Sequence, residues 1–416
     1  MFLHHLKKSS LILETRLGAY FGTRLISSSD GDKRIGNLNK HENIKAALDQ
    51  KQKLRKTFRT LTTLNHSVPL AARAAVSKDE SREFMAVFPD IVRDITDKTK
   101  EYNGKDISNW FAKALQYNVP RGKKNRGLAT IITYKKLVAT NELTDQNLRL
   151  CHILGWCVEL LQTMLLMCDD VMDGSQTRRG QPCWHTIEGV GLSGINDALM
   201  IENAIFWILK KYFSEKEYYT RLLELFHEII FITIVGQAGD LKTSSNKVDS
   251  FSMEMYKTIA ANKTSYYTFY LPVALAMNMA EFKHPEAFRQ AKTILLEIGH
   301  FFQVQDDFLD CFGDPETTGK IGTDIQENKC SWLAVVAMQR ANDSQKSVML
   351  ECYGSSDPEK VSKVKKLYKE LGIPNTFAIY EEESYNLIKT QIQQTSKGVP
   401  HEVFFSILNS IYRRKS

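Results

Sequence analysis

Two short aspartate-rich segments are the residues of this 416-residue chain best suited to chemistry. Both have the spacing Asp-Asp-x-x-Asp, at residues 169–173 and 306–310, and each follows an apolar segment with helical periodicity. On a helix, residues four apart share a face, so each segment presents its carboxylates together. Mg²⁺ prefers such oxygen ligands and often adds substrate phosphates and waters. One segment alone would be an ordinary acidic helix end, whereas the pair predicts two facing clusters that bind Mg²⁺ and a diphosphate.

Basic residues flank both acidic clusters and could bind phosphate. Paired arginines follow the first cluster directly, and guanidinium groups hold phosphate oxygens with two parallel hydrogen bonds. Each of the other basic positions alone would be an ordinary surface residue, but together they lie close to the same two helices. The candidates are Arg178, Arg179, Lys123 and Arg126 in the segment GKKNRG (122–127), Lys263 beside Thr264, Lys320 and Lys329.

Helices must position these residues, because apolar side chains recur at helical spacing from about residue 81 onward. Strand-like alternation is scarce, and the Pro and Gly residues fall mostly between the helical blocks. The pattern predicts about ten helices in one all-α domain over residues 79–416. The blocks are Phe84–Thr99, Glu142–Asp173, Asn196–Phe213, Tyr219–Leu241, Ser252–Met279, Glu286–Phe312, Ser331–Ala341, Pro358–Leu371, Phe377–Gln394 and His401–Tyr412.

Residues 1–78 differ from this body in charge, with 15 Lys and Arg against 5 Asp and Glu. Their first 26 residues are basic, poor in acids and amphipathic as a helix, which is typical of a mitochondrial transit peptide. Residues 30–78 are polar and basic and predict a linker. An untargeted extension of a cytoplasmic protein is the alternative.

Composition excludes several functional classes. The remaining residues carry 40 basic against 43 acidic groups, so no general basic field for nucleic acid is expected. No uninterrupted apolar run of about 18 residues occurs, which predicts no transmembrane segment. Seven scattered cysteines without a CxxC pair favour free thiols over disulfides or a zinc site. The match to GxGxxG at 189–194 follows no predicted strand and does not indicate a dinucleotide site.

Six separated motifs together resemble the farnesyl pyrophosphate synthase family. The two aspartate-rich regions stand in the segments 160–184 and 302–332, and GKKNRG, GQAGDL (236–241), NKTSYYTFYLP (262–272) and the terminal IYRRKS (411–416) accompany them in the family order. The resemblance covers about residues 81–416. It implies an all-α isoprenoid synthase fold with a central cavity, a homodimer, and condensation of isopentenyl diphosphate with dimethylallyl and geranyl diphosphate to give farnesyl diphosphate.

The resemblance also implies roles for individual residues. Three Mg²⁺ ions per site would bind to Asp169, Asp170, Asp173, Asp306 and Asp310. The allylic diphosphate would contact Arg178, Lys263 and Lys320, and Lys329 belongs to the second diphosphate-binding region. Isopentenyl diphosphate would contact Lys123, Arg126, Gln162 and Arg179, and the basic C-terminus would close over it. Lys263, Thr264 and Gln303 would line the place where the allylic cation develops.

The chain departs from the animal members of the family at the two residues that lie five and four positions before the first aspartate. Met164 and Leu165 stand there in place of bulky aromatic residues. On a helix they lie about one turn from Asp169, where they would form the floor of the product-chain pocket. Because Met is smaller and more deformable than Phe, a longer or branched product could fit.

Three alternatives to farnesyl diphosphate synthesis remain at this point. A C10 or C20 prenyl diphosphate synthase would share the chemistry, and a terpene synthase derived from the same scaffold would ionise a prenyl diphosphate without isopentenyl diphosphate. The retained Lys123, Arg126 and Arg179 argue against a terpene synthase, which needs no second diphosphate site. A silent regulatory subunit would be expected to lose acids from one cluster, and both clusters are whole.

Overall fold

The computed structural model of the chain describes residues 78–318, 321–395 and 398–414. The predicted transit peptide, nearly all of the linker, Lys320 and Lys415 therefore lie outside the described residues. The described part belongs to one compact unit, Ala72–Ser416. Its first eight α-helices are α1 (Lys78–Asn118), α2 (Asn125–Leu137), α3 (Asp145–Met172), α4 (Gly194–Phe213), α5 (Tyr219–Ser244), α6 (Met253–Ile259), α7 (Leu271–Met279) and α8 (Pro285–Phe312).

The C-terminal helices, four 3₁₀ turns and one small sheet complete the described part of the fold. Six helices follow α8: α9 (Pro315–Thr318), α10 (Trp332–Arg340), α11 (Asp343–Cys352), α12 (Pro358–Glu370), α13 (Ile373–Gln394) and α14 (His401–Ile411). Single 3₁₀ turns lie at Thr140–Glu142, Trp184–Thr186, Gly191–Ser193 and Val248–Ser250. Two antiparallel strands of two residues each, β1 (Thr177–Arg178) and β2 (Gln181–Pro182), form the sheet found in the described residues.

Helix α1 is a hairpin of two helical arms. The hydroxyl of Ser108 donates to the carbonyl of Thr96 at 3.0 Å, although a straight helix would separate residues twelve apart by about 18 Å. The chain reverses near Gly104, which has a φ of +71°. The first arm packs on α3 through Phe84, whose ring stacks on Trp156 with centroids 4.4 Å apart.

Helix α8 joins two hydrophobic cores. The main core unites α1 to α5, α7, α14 and the end of α13 with the part of α8 up to Phe301. The second core unites α6 and α10 to α13 with the end of α8, through Val304 and Cys311. The second aspartate cluster therefore lies on a helix that is clamped from two sides, which limits the freedom of its carboxylates.

A π-helical segment, Ala260–Tyr270, separates α6 from α7. Its hydrogen bonds span five residues, as in the bond from the Leu271 N–H to the Tyr266 carbonyl. Such segments are rare in proteins, and those that do occur are often found at functional sites. This one carries Lys263 and Thr264, so its geometry sets the position of both.

Three helices are long and apolar enough to cross a membrane by length and composition: Asp145–Met172, Gly191–Phe213 and Tyr219–Ser244. The most apolar part of the first is 89% buried inside the fold, against 44% and 33% for the other two. The absence of a transmembrane segment thus stays a prediction, and the second and third helices expose apolar side chains.

Candidate active site

A cleft of about 560 Å³ collects the two aspartate clusters and most of the candidate cations. Its walls are the C-terminal ends of α3 and α8, helix α5, the π-helical segment and the loop before α10. The lining includes Asp169, Asp173, Asp240, Lys263, Thr264, Gln303, Asp306, Asp310 and Lys329. The predicted facing arrangement of the two clusters is therefore what the fold produces.

The first cluster stands at the end of α3, where Asp169 and Asp173 share one face a single turn apart. Gln237 and Lys263 reach Asp169, with distances to Oδ1 of 3.2 Å from Gln237 Nε2 and 3.3 Å from Lys263 Nζ. Burial opposes ionisation of Asp169, but the charges of Lys263, Arg178 and Lys329 outweigh it and lower its pKa. Burial and the charge of Asp169 raise the pKa of Asp173.

A tight hairpin sends the paired arginines in different directions. β1 and β2 are joined by Arg179 and Gly180 with φ of 55° and 73°, the two positive values of a type I′ turn. Arg178 turns to the first cluster, with Nε 2.8 Å and Nη2 2.5 Å from Asp170 Oδ1. Arg179 instead packs against Gly122 and donates to the carbonyl of Arg121. One sequence pair thus serves two neighbouring sites.

Asp240 of α5 bridges two lysines beside the first cluster. Its Oδ2 accepts from Lys263 Nζ at 2.8 Å and from Lys329 Nζ at 3.1 Å, and Lys329 also donates to Asp173 at 3.1 Å. The Asp240 side chain is only 8% exposed. Burial works against its charge, but the two ammonium groups lower the pKa of Asp240. Burial likewise works against the charge of the two lysines, but the neighbouring aspartates raise the pKa of both. The bridge fixes both cations at the cleft wall.

Two glycines allow helices to approach the π-helical segment closely. A Cβ on Gly236 of α5 would lie 2.3 Å from the Lys263 nitrogen, and one on Gly299 of α8 would lie 2.3 Å from the Ser265 side chain. Both distances are far below van der Waals contact, so a larger residue would push the segment away. The positions of Lys263 and Thr264 therefore depend on small residues in two other helices.

The second cluster faces the first from the end of α8. Asp306 Oδ1 pairs with Arg414 Nη2 at 2.9 Å, and the guanidinium of Arg414 lies 3.9 Å from the centre of the Phe302 ring. Asp310 Oδ1 accepts from the N–H of Asp324 at 3.0 Å. Burial raises the pKa of Asp307 to about 7, although hydrogen bonds from Gln303 and the Trp332 N–H favour its ionised form. The C-terminal tail is thus docked on the metal-binding candidate Asp306.

A second basic group lies at the start of α2. Arg126 Nη2 donates to Thr268 and Tyr267 at 2.8 and 3.0 Å. With its amide turned to satisfy both neighbours, Gln162 accepts from Arg126 Nη1 at 2.6 Å and donates to Glu159 at 3.1 Å. Buried Glu159 also accepts from the N–H of Gly127 at 2.8 Å. A rigid network thus aims Arg126 into the cleft.

Arg179 and Lys123 do not line the cleft, but the charges of neighbouring cations act on both. Burial, the charge of Arg126 and the charge of Arg178 lower the pKa of Arg179, against the opposing charge of Glu159. Burial and the charge of Arg414 lower the pKa of Lys123. Since cations that depress one another's pKa crowd a common space, these groups suit an anion with several charges.

The two chain-length candidates lie beside the cleft wall. Met164 is buried in the main core and Leu165 is partly buried against it, whereas the next residue, Leu166, lines the cleft. Their role stays a prediction, with Leu166 as the nearer neighbour of a bound chain.

The donor set fits a hard divalent cation, because carboxylate oxygens from both clusters face one cleft. Asp170 differs, since it lies outside the cleft lining and holds Arg178. Among the described residues, no three His, Cys, Asp or Glu side chains converge as a ready-made metal site. These aspartates instead form ion pairs with Lys263, Lys329, Arg178 and Arg414.

Three residues of the site were not predicted from the sequence as functional. Asp240 lies within the motif GQAGDL, which was a signal for it. Glu159 is a carboxylate inside an otherwise apolar helix, and burying one without a partner is costly, so it called for a cation or N–H nearby. Asp307 belongs to the second cluster but binds Gln303 and the Trp332 N–H.

The chain is similar to known proteins in both sequence and structure. Residues 108–371 match a family model described as Polyprenyl synthetase. A farnesyl pyrophosphate synthase of Nezara viridula is 51% identical over 340 residues, which are 82% of this chain and 84% of that protein. One of Gallus gallus is 46% identical over 82% of this chain and 94% of its own. A T. brucei farnesyl diphosphate synthase solved with risedronate has a TM-score of 0.76 at 29% identity, covering 81% of this chain and 99% of the other.

Proposed function

This chain belongs to the polyprenyl synthetase family, and we propose from that premise that it is a farnesyl diphosphate synthase. It would condense isopentenyl diphosphate head to tail, first with dimethylallyl diphosphate and then with geranyl diphosphate. The family and the all-α isoprenoid synthase fold predicted from the motifs are confirmed by the matches in sequence and structure. The observation that carries the proposal is a cleft that both aspartate clusters line together with two groups of cationic residues: the first is Arg178, Lys263 and Lys329, and the second enters the lining through Arg126.

The first group of cations suits the allylic diphosphate. Arg178, Lys263 and Lys329 surround Asp169 and Asp173, and each already contacts a carboxylate oxygen. They would bind the phosphate oxygens and stabilise the charge that grows on the departing diphosphate. Lys320 is proposed to join them. Mg²⁺, proposed as three ions on the two clusters, would supply further Lewis-acid stabilisation of the same charge.

The second group suits isopentenyl diphosphate. Arg126 and Gln162 form its rigid part, and Lys123 and Arg179 add charge from the neighbouring loop and hairpin. Glu159 orients Gln162 through a buried hydrogen bond. Arg414 would close this side as part of the C-terminal tail, because its charge acts on Lys123. A terpene synthase needs no second diphosphate site of this kind.

Carbon chemistry would take place between the two groups. The allylic C–O bond breaks and leaves a cation, the isopentenyl double bond attacks it, and a proton leaves to form the new double bond. Thr264 and Gln303 line the cleft with oxygen dipoles, and Tyr267 and Phe302 supply walls that exclude water. Exclusion of water matters because the cation would otherwise be captured as an alcohol.

The test is product analysis with the full chain. Labelled isopentenyl diphosphate, dimethylallyl diphosphate and Mg²⁺ are incubated with the protein, and the dephosphorylated products are separated by length. We expect a dominant C15 alcohol. A dominant C10 or C20 product would keep the chemistry and contradict the C15 assignment, and it would turn attention to Met164, Leu165 and Leu166. Release of hydrocarbon without incorporation of label would instead favour a terpene synthase.

We also propose that the chain forms a homodimer through α4 and α5. The two helices expose a row of large apolar side chains, in which Leu199, Phe231, Ile234 and Val235 are 47% to 70% exposed. Contiguous apolar surface on a monomer is costly in water and typical of an interface. Obligate homodimer interfaces are of this apolar kind.

The dimer is tested by molar mass in solution. Phe231→Glu should convert the protein to a monomer in light scattering, because a carboxylate in a buried interface loses its hydration. Ile379→Glu, at an exposed apolar residue of α13, is the matched control and should remain a dimer. A monomeric native protein, or a dimeric Phe231→Glu variant, would contradict the proposal.

A further inference from the structure

Asp307 stands inside the second aspartate cluster but is used differently from its neighbours. It is 4% exposed, and both of its oxygens are occupied by protein donors. Oδ1 accepts from Gln303 Nε2 at 2.9 Å, and Oδ2 accepts from the backbone N–H of Trp332 at 2.8 Å. Asp306, one residue earlier, instead faces the Arg414 side chain at 2.9 Å. The two adjacent carboxylates therefore have separate tasks.

Asp307 is the first member of a series of hydrogen bonds that runs through Gln303 to Thr264 in the cleft. Gln303 presents its NH₂ to Asp307 Oδ1, so its carbonyl oxygen is directed to the opposite side. That oxygen accepts from the hydroxyl of Thr264 at 2.7 Å. Since the Thr264 proton is used in this bond, the lone pairs of its oxygen are left for the cleft that Thr264 lines.

We propose that Asp307 is a positioning residue that fixes the polarity of Gln303 and Thr264, so that oxygen lone pairs face the developing allylic cation. The inference rests on the proposed function, in which that cation forms beside Lys263. Thr264 follows Lys263 directly, and Lys263 lies 3.3 Å from Asp169. The oriented dipoles are thus adjacent to the point where the diphosphate departs, and preorganised dipoles of this kind stabilise charge without reorganising.

The first test is Asp307→Asn, which keeps the size and removes one acceptor. The Trp332 N–H would retain the oxygen of the new amide, so the amide NH₂ would face Gln303 and force its side chain to turn. Thr264 would then accept a hydrogen bond from the amide N–H of Gln303, and the hydroxyl proton of Thr264 would point into the cleft. We expect kcat to fall about 10- to 100-fold with KM for geranyl diphosphate changed less than about 2-fold, the pattern of an interaction made in the transition state.

A compensating variant makes the test specific to polarity. Asp307→Asn with Gln303→Glu preserves the net charge and all three hydrogen bonds, since the introduced amide would donate to a carboxylate that accepts from Thr264. We expect this double variant to recover most of the lost kcat, whereas Gln303→Glu alone places two carboxylates together and should be poorly active. A merely structural role for Asp307 predicts no such rescue.

A contrast variant and a second measurement distinguish failure of the proposed function from failure of the role of Asp307. Asp306→Asn should raise the Mg²⁺ concentration needed for half-maximal rate, and Asp307→Asn should leave it unchanged. Diphosphate release from geranyl diphosphate alone measures ionisation, so it reports on Asp307 even where isopentenyl diphosphate is not incorporated. Native protein without incorporation would refute the proposed function. Unchanged release in Asp307→Asn, a shifted Mg²⁺ requirement for it, or a folded double variant without rescue would overturn the role of Asp307.

Discussion

Gly236 and Gly239 of α5 offer a matched pair for testing how the π-helical segment is held. Alanine at Gly236 would place its Cβ 2.3 Å from the Lys263 nitrogen and 2.6 Å from the Asn262 carbonyl carbon. Ordinary contact needs about 3.5 Å, so the segment must move by about 1 Å. Overpacking costs about 1 to 3 kcal/mol, and the better helix propensity of Ala returns about 1. We expect Gly236→Ala to lower the free energy of unfolding by up to about 2 kcal/mol.

Activity should respond more strongly than stability, because the displaced backbone carries Lys263 and Thr264. A misplacement of about 1 Å costs about 100-fold in rate. Gly239→Ala is the control: its Cβ meets nothing within 4 Å, so it should stabilise α5 by up to about 1 kcal/mol and keep full turnover. Urea unfolding and labelled isopentenyl incorporation measure both effects. Equal stability and equal kcat in the two variants would refute the close-approach argument.

Three further predictions concern charge and targeting. Asp240→Asn should cost about 3 kcal/mol in urea unfolding, because two buried ammonium groups lose a partner, while the exposed control Glu286→Gln should leave stability unchanged. Burial lowers the pKa of His300 from 6.5 to about 4, so the unfolded chain binds a proton first as pH falls. The free energy of unfolding should therefore drop by about 2 kcal/mol more from pH 7 to pH 5 than in His300→Gln. Residues 1–78 fused to a fluorescent protein should direct it to mitochondria; a cytosolic signal would contradict the transit peptide.

The helical framework and the two aspartate clusters were predictable because both are local patterns. Apolar spacing along the chain indicates a helix without knowledge of its neighbours, and Asp169 and Asp173 share a face by the geometry of one turn. The pairing of the clusters followed from their repetition and their resemblance to a known family. The fold then needed only to bring two helix ends to one cleft.

The partners of these carboxylates could not be predicted in the same way, because each comes from a distant part of the chain. The first cluster contains no basic residue, yet Lys263 and Lys329 reach it from about 90 and 160 residues away. The block Ser252–Met279 was expected to be one regular helix, but it contains the π-helical segment. Its hydrogen-bond pattern coincides with close packing at Gly236 and Gly299, which no local propensity encodes.

Proline was a less reliable marker of helix ends than expected. The Pro residues were predicted to fall mostly between the helical blocks, but Pro89 lies inside α1. The first helical block was also predicted too short, since Phe84–Thr99 covers only part of Lys78–Asn118. The second arm packs back against the first and buries Ser108 against Thr96. The spacing of apolar residues does not predict such a tertiary contact.

The ion pairs of the cleft have a thermodynamic consequence for how its two kinds of ligand assemble. Asp169 and Asp173 are held by Lys263 and Lys329, so the aspartates accept a divalent ion only by giving up these ammonium groups. The same lysines accept a diphosphate only by giving up the aspartates. Each exchange frees the groups that the other requires, and linkage makes the gain reciprocal. The lysines and aspartates of the cleft therefore act as counterions for each other, and a divalent ion and a diphosphate would bind together more favourably than either ligand alone.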